Sequence, residues 1–290
     1  MDFQLTDEQR ALKTGVREML ARRFDATALR AAVDGGGLDR GLWRALGDAG
    51  FFALRLSEEA GGVGLGLPEA VLLFEEAGRA LLPGPLIATQ LAAGLVEGAA
   101  EGATVVTAPD GGLVEWLAEA DVVRGDATGA EPIRSADPLT PLHRLPGGGA
   151  GGSPERALLT AAEQLGSAGR STELAVQYAR EREQFGQPIG AFQAVKHLCA
   201  QMLVRTEVAR AAVHAAAVTG DPVEIAGAKL LADEAAVRCA RDCLQVYGGM
   251  GFTWEAEVHL HLKRAWLRRE RWPTPARGRE LQAAALEEAM

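Results

Sequence analysis

Cysteine is scarce in this chain, with three residues in 290, and Cys199, Cys239 and Cys243 show no CxxC spacing. That count excludes a disulfide framework, and the apolar periodicity around all three predicts reduced thiols in a core, as in a cytoplasmic protein. No His or Cys cluster has the spacing of a metal site, and the Glu-x-x-His pair of di-iron bundles is missing, so no metal is expected. Long apolar runs are missing too, and the first ten residues, MDFQLTDEQR, are charged, so neither a membrane span nor a secretion signal is predicted. Positive charge is in deficit: 30 basic against 39 acidic side chains give a net charge of -9, which disfavours nonspecific attraction to nucleic acid or an anionic membrane. The local exception is Lys263 to Arg279, with Arg264, Arg268, Arg269, Arg271 and Arg277. It reads either as a solvated helix end or as an anion or partner site.

Against those absences, 48% hydrophobic and 24% charged residues describe a chain able to bury a large core. Thr6 with Gln9 forms a capping-box pattern, and Leu12, Val16, Met19 and Leu20 follow at helical spacing, so a first helix is predicted from about Asp7. Further helices are predicted around Leu42 to Leu46, from Pro68 to the stop at Pro83-Gly84-Pro85, and over Leu86 to Ala99. A glycine-rich turn, Gly61 to Gly66, separates two of them. After Gly102 the β-branched runs at Thr104 to Thr107 and Val122-Val123, divided by turn signals, predict a small β insert that closes at a flexible linker, Gly147 to Ser153. From Pro154 onward, apolar stripes run to Phe185-Gly186-Gln187-Pro188, then to Gly220, and then from an Asp221-Pro222-Val223-Glu224 capping box to Gly248-Gly249. Long helices with short connections make antiparallel neighbours. The expectation is a mainly α protein: an N-terminal helical domain (1–100), a truncated β domain and linker (101–153) and a C-terminal antiparallel four-helix bundle (154–290).

Two segments resemble the signature of acyl-CoA dehydrogenases: Arg180 to Ile189 with Phe192-Gln193, and Gln245 to Thr253. Leu5 to Gln9, Glu58 to Gly62 and Phe74 to Arg79 resemble the family's first domain, so the likeness covers most of residues 1–100 and 154–266. It implies FAD shared between subunits, with Arg182, Phe185, Gln193, Gln245, Gly248, Gly249 and Gly251 at the matching cofactor-binding positions. The residue chemistry agrees. An arginine offers paired donors to a diphosphate, an aromatic ring offers a face to a heterocycle, and glycines let backbone N–H groups approach an anion. The plain alternatives are a surface ion pair for Arg182, a core plug for Phe185 and a helix stop at Gly248-Gly249.

Two departures from the resemblance shape the functional expectation. The middle segment is much shorter than the family's β domain. The loop expected to carry the catalytic carboxylate reads Arg271-Trp272-Pro273-Thr274-Pro275, so no catalytic base is assigned. Glu155, near the family's alternative base position, reads as a helix-start dipole residue; Glu255 and Glu257 read as solvated, and His259 and His261 as a half-buried helix end. The combination resembles the short subunit of heteromeric acyl-CoA dehydrogenases of bacterial steroid breakdown. It implies α,β-desaturation of an acyl-CoA by a heterotetramer with a longer dehydrogenase-like partner subunit. A non-catalytic structural or regulatory subunit, and a homo-oligomeric enzyme with an unconventional base, are the alternatives.

Overall fold

The computed structural model describes residues 4–35, 37–148 and 151–288. Helix α1 (Asp7–Arg23) opens on the expected capping box: Thr6 Oγ1 accepts from the Gln9 N–H at 3.1 Å, and Gln9 Oε1 accepts from the Thr6 N–H at 3.1 Å. α2 (Ala26–Val33), α3 (Arg40–Asp48), α4 (Leu67–Arg79) and α5 (Leu86–Ala92) follow. α5 ends well before Ala99, because Gly94 and Gly98 take left-handed φ values of 75° and 78° that a helix cannot contain. Trp43, Phe51, Phe52 and Phe74 form the aromatic centre of this half, with the Trp43 and Phe52 ring centroids 4.8 Å apart.

The middle segment is built from very short strands. β1 (Val106–Thr107) runs parallel to β3 (Val122–Val123), while β2 (Leu113–Glu115), β5 (Leu142–Arg144) and β4 (Glu131–Ile133) form an antiparallel sheet in that order. Residues 149 and 150 of the expected linker lie outside the described residues.

Ser153 caps α6 (Pro154–Glu181), the 28-residue centre of the molecule. Every residue from Ala157 to Ala168 is buried, so this helix is surrounded on all sides. α7 (Gln193–Thr219) stops at Gly220, with φ of 65°, and α8 (Pro222–Tyr247), α9 (Val258–Arg269) and α10 (Pro275–Glu288) complete the chain. The box expected at Asp221 is only half formed. Asp221 accepts from the N–H groups of Val223 and Glu224, but the Glu224 carboxylate turns to the Thr219 hydroxyl at 2.7 Å.

α4 and α6 meet backbone to backbone. A Cβ added at Gly166 would lie 1.8 Å from the Glu75 carbonyl oxygen, and one at Gly78 would lie 2.0 Å from that of Glu163. This approach joins the N-terminal helices and the bundle in one hydrophobic core running from Val16 to Ala265. No helix among the described residues is long and apolar enough to cross a membrane.

Candidate functional site

α6 and α8 run side by side in the same direction. Gln164 of α6 donates to Asp233 of α8 at 2.9 Å, and fourteen residues later in each helix Tyr178 stacks on Tyr247, with centroids 4.1 Å apart and planes 16° from parallel. Their C-termini therefore share one end of the bundle, so Arg182, the C-cap of α6, and Gly248, the C-cap of α8, share it too. The chain returns from α6 to α7 through a two-residue hairpin, β6 (Glu183–Gln184) with β7 (Gln187–Pro188), which sets the start of α7 and Gln193 at that same end.

Phe185 and Gly186 are the two turn residues, both left-handed at φ 55° and 79°. That suits a hairpin of this length but is strained for a bulky side chain. Phe185 is 92% exposed, touching Phe192 edge to face at 6.2 Å, so it is no core plug. Arg182 is exposed and forms no ion pair among the described residues, which removes the surface-pair reading. Gln193, Gln245, Gly248 and Gly249 are exposed, and a Cβ at either glycine would meet nothing within 4 Å. Gly251 differs. It is buried, and its Cβ would lie 3.1 Å from Leu244 and Tyr247, so its role is to let the chain turn behind the others. The first turn of α7 has no side-chain cap, leaving its N–H groups directed at the same end.

The other expected site region is folded shut. Arg271 pairs with Glu115 of β2, and the Trp272 N–H donates to Asp110 at 3.3 Å. The Trp272 ring lies against Gly151 and Gly152, where any Cβ would press on it at 2.9 to 3.1 Å. Glu155 is in the first turn of α6 and pairs with Arg55, in keeping with a helix-start residue.

The basic segment is not a solvated helix end throughout, because three of its arginines turn inward. Arg264 is 1% exposed and donates to Asp137 at 2.7 Å and to the Leu82 carbonyl at 2.9 Å; Arg268 pairs with Glu163 at 2.7 Å; Arg271 is buried on Glu115. Arg269 and Arg277 stay exposed. Glu257 is also not simply solvated, since Arg170 holds it at 2.7 Å. His261 is fully buried rather than half-buried: its Nδ1 lies 2.8 Å from the Ser167 hydroxyl, and burial lowers its pKa to about 3, keeping it neutral. His259 is buried as well.

Sequence reading missed Glu163. It sits among buried alanines and leucines of α6, and burial raises its carboxyl to about 7 against the pull of Arg268. Its only signal was a lone charge on an otherwise apolar helical run. Among the described residues, no group of three or more His, Cys, Asp or Glu side chains could hold a metal ion.

The mainly helical chain leaves an open, cation-bearing bundle end with donors for an anionic group, and comparison with known proteins gives the class. Residues 6–101 match the acyl-CoA dehydrogenase N-terminal domain and residues 153–270 the acyl-CoA dehydrogenase C-terminal domain. The acyl-CoA dehydrogenase IpdE2 of Mycobacterium tuberculosis is 36% identical, over 89% of this chain and 91% of its own length. Among solved structures, the ChsE4-ChsE5 complex from Mycobacterium tuberculosis superposes with a TM-score of 0.84 at 23% identity, covering 99% of each chain. The Tcur3481-Tcur3483 steroid ACAD superposes at 0.83 and 23% identity, covering 98% of each. At that identity the structures establish the fold. The chain belongs to the acyl-CoA dehydrogenase family, which uses FAD.

The residues present fit that cofactor at the open end of the bundle. A free guanidinium, the uncapped start of a 27-residue helix and two glycines with open space beside them offer donors to a diphosphate, and the bare Phe185 ring offers a stacking face.

Proposed function

We propose that this chain is the short subunit of a heteromeric, FAD-dependent acyl-CoA dehydrogenase that desaturates a steroid-derived acyl-CoA, and that its task is to clamp the cofactor from across the subunit boundary. Arg182, Phe185, Gln193, Gln245, Gly248 and Gly249 would hold the nucleotide part, with Gly251 shaping the turn behind them. When bound, FAD supplies the hydride acceptor for the desaturation. A longer dehydrogenase-like partner, in a heterotetramer, would contribute the larger β domain and the catalytic carboxylate.

The observation that carries this reading is an asymmetry within one chain. The bundle end keeps its aromatic ring exposed and its arginine exposed without an ion pair among the described residues, whereas the loop that would carry a base has its arginine and tryptophan packed inward, the arginine on Glu115 of the shortened β segment. The fold likeness to a two-component complex, ChsE4-ChsE5, supports a second polypeptide. The pairing of Glu155 with Arg55 speaks against a homo-oligomer that uses Glu155 as base. Three free cysteines support a reducing, cytoplasmic setting.

Co-expression with a longer dehydrogenase-like chain tests the proposal through flavin content per subunit. The wild-type pair should carry FAD, and Arg182→Ala should lower FAD occupancy at least tenfold at limiting cofactor, in keeping with loss of a charge-assisted contact. A colourless homomer that joins no such partner, or an Arg182→Ala pair with unchanged flavin, refutes it.

A further inference from the structure

Beside the closed loop lies a cavity of about 40 Å³, remote in sequence from the clamp residues. Its walls include Asp110, Glu115, Arg156, Glu163, Arg268 and Arg271. The volume admits roughly three waters or one small polyatomic group. Its chemistry is unusual for so buried a space, because three guanidinium groups converge there with donors left over. Arg268 Nη1 and Arg271 Nε have no hydrogen-bond partner, although the two residues are only 9% and 4% exposed. Arg156 donates only to the neutral carbonyls of Ala108 and Pro109, at 3.3 and 3.2 Å, and forms no ion pair among the described residues. Buried charged donors without acceptors are costly, so an acceptor that fills the space is favoured.

We infer that this cavity binds a small oxyanion, a carboxylate or phosphate-type group, held by Arg156, Arg268 and Arg271. The inference does not rest on the flavin clamp. Two carboxylates already neutralise Arg268 and Arg271, and Asp110 also faces the space while accepting from Trp272. A positive excess arises when Glu163 takes up a proton, which its burial makes easy near neutral pH. The groups that face Glu163 are Arg264 and Arg268 from α9, Arg271 from the following loop, Glu115 from β2, and Arg156 and Asp110 around the cavity. An anion bound among them repels a charged Glu163, so binding draws in a proton. Affinity therefore rises as pH falls toward about 7 and levels off below it. Leu86 and Ile87 also line the cavity, which suits it to an alkyl carboxylate as well as an inorganic anion.

Isothermal titration of the full chain, or of its complex if it purifies as one, tests this. Sodium phosphate, sulfate, acetate and propionate are titrated at ionic strength held constant with chloride. A saturable single site, at least tenfold weaker in Arg156→Gln and tightening with acid, is the expected result. Preference for propionate over acetate identifies an organic acid as occupant; preference for phosphate or sulfate identifies an inorganic anion. Glu163→Gln should bind without the pH slope, and this readout stands even if Arg156→Gln fails to fold. Absence of saturable binding by any of the four anions, equal affinity in folded Arg156→Gln, or an unchanged pH slope in Glu163→Gln overturns the inference.

Discussion

Replacing Gly166 by alanine is the sharpest probe of the close pairing between α4 and α6. In an open helix the change stabilises, since alanine exceeds glycine by about 1 kcal/mol in helix propensity. At Gly166 the new methyl would stand 1.8 Å from the Glu75 carbonyl oxygen and 2.7 Å from the Arg79 nitrogen, both backbone atoms of α4, so no side-chain rotation can make room. The helices must separate, and the core they share must open along its length. Overpacking of this kind costs about 1 to 3 kcal/mol, and the rigid obstacle argues for the top of that range or beyond. Subtracting the propensity gain leaves a net loss of roughly 2 kcal/mol or more. Gly169 is the internal control, on the same helix, where a Cβ makes only ordinary side-chain contacts, with the end of Arg210 at 3.8 Å and the Thr206 methyl at 3.9 Å; Gly15 of α1 meets nothing within 4 Å. Urea unfolding of the three variants should show Gly15→Ala and Gly169→Ala as stable as wild type or up to about 1 kcal/mol more so, with Gly166→Ala clearly weaker. Equal midpoints for Gly166→Ala and Gly169→Ala would refute the claim of backbone contact.

Two further outcomes follow from the same reasoning. The carboxyl of Glu163 is raised in the folded state from 4.5 to about 7, so its contribution favours folding fully below 4.5 and is lost as pH rises through 7. The span corresponds to about 3 kcal/mol as an order of magnitude. Unfolding free energies measured across that window should show the decline in wild type and lack this component in Glu163→Gln; parallel curves would contradict the assignment. Phe185→Gly should relieve the left-handed strain at the hairpin tip, raising thermal stability by up to about 1 kcal/mol while lowering flavin retention in the assembled complex. Retention equal to wild type would remove the ring from the proposed clamp.

Local patterns in the chain were sufficient for much of the architecture. The Thr6 and Gln9 box, Ser153 before Pro154, Asp221 before Pro222 and Gly220 after α7 are signals exchanged within four residues, and each stands at the helix end it foretold. The residues proposed for the clamp cluster in two short segments beside helix ends, and the parallel course of α6 and α8 brings those ends together.

What only the tertiary structure decided is which charges face inward. Arg264 finds Asp137 across 127 residues and Arg271 finds Glu115 across 156, while Arg268 finds Glu163 on the central helix. In one dimension these arginines looked like a solvated end, because a charge reads as exposed until its partner is known. The closeness of α4 and α6 was hidden likewise: Gly78 and Gly166 are unremarkable helix glycines until another backbone lies against them. Periodicity and capping are properties of neighbours along the chain. Burial of a charge, and the contact of two helix backbones, depend on residues the chain brings together only when it folds.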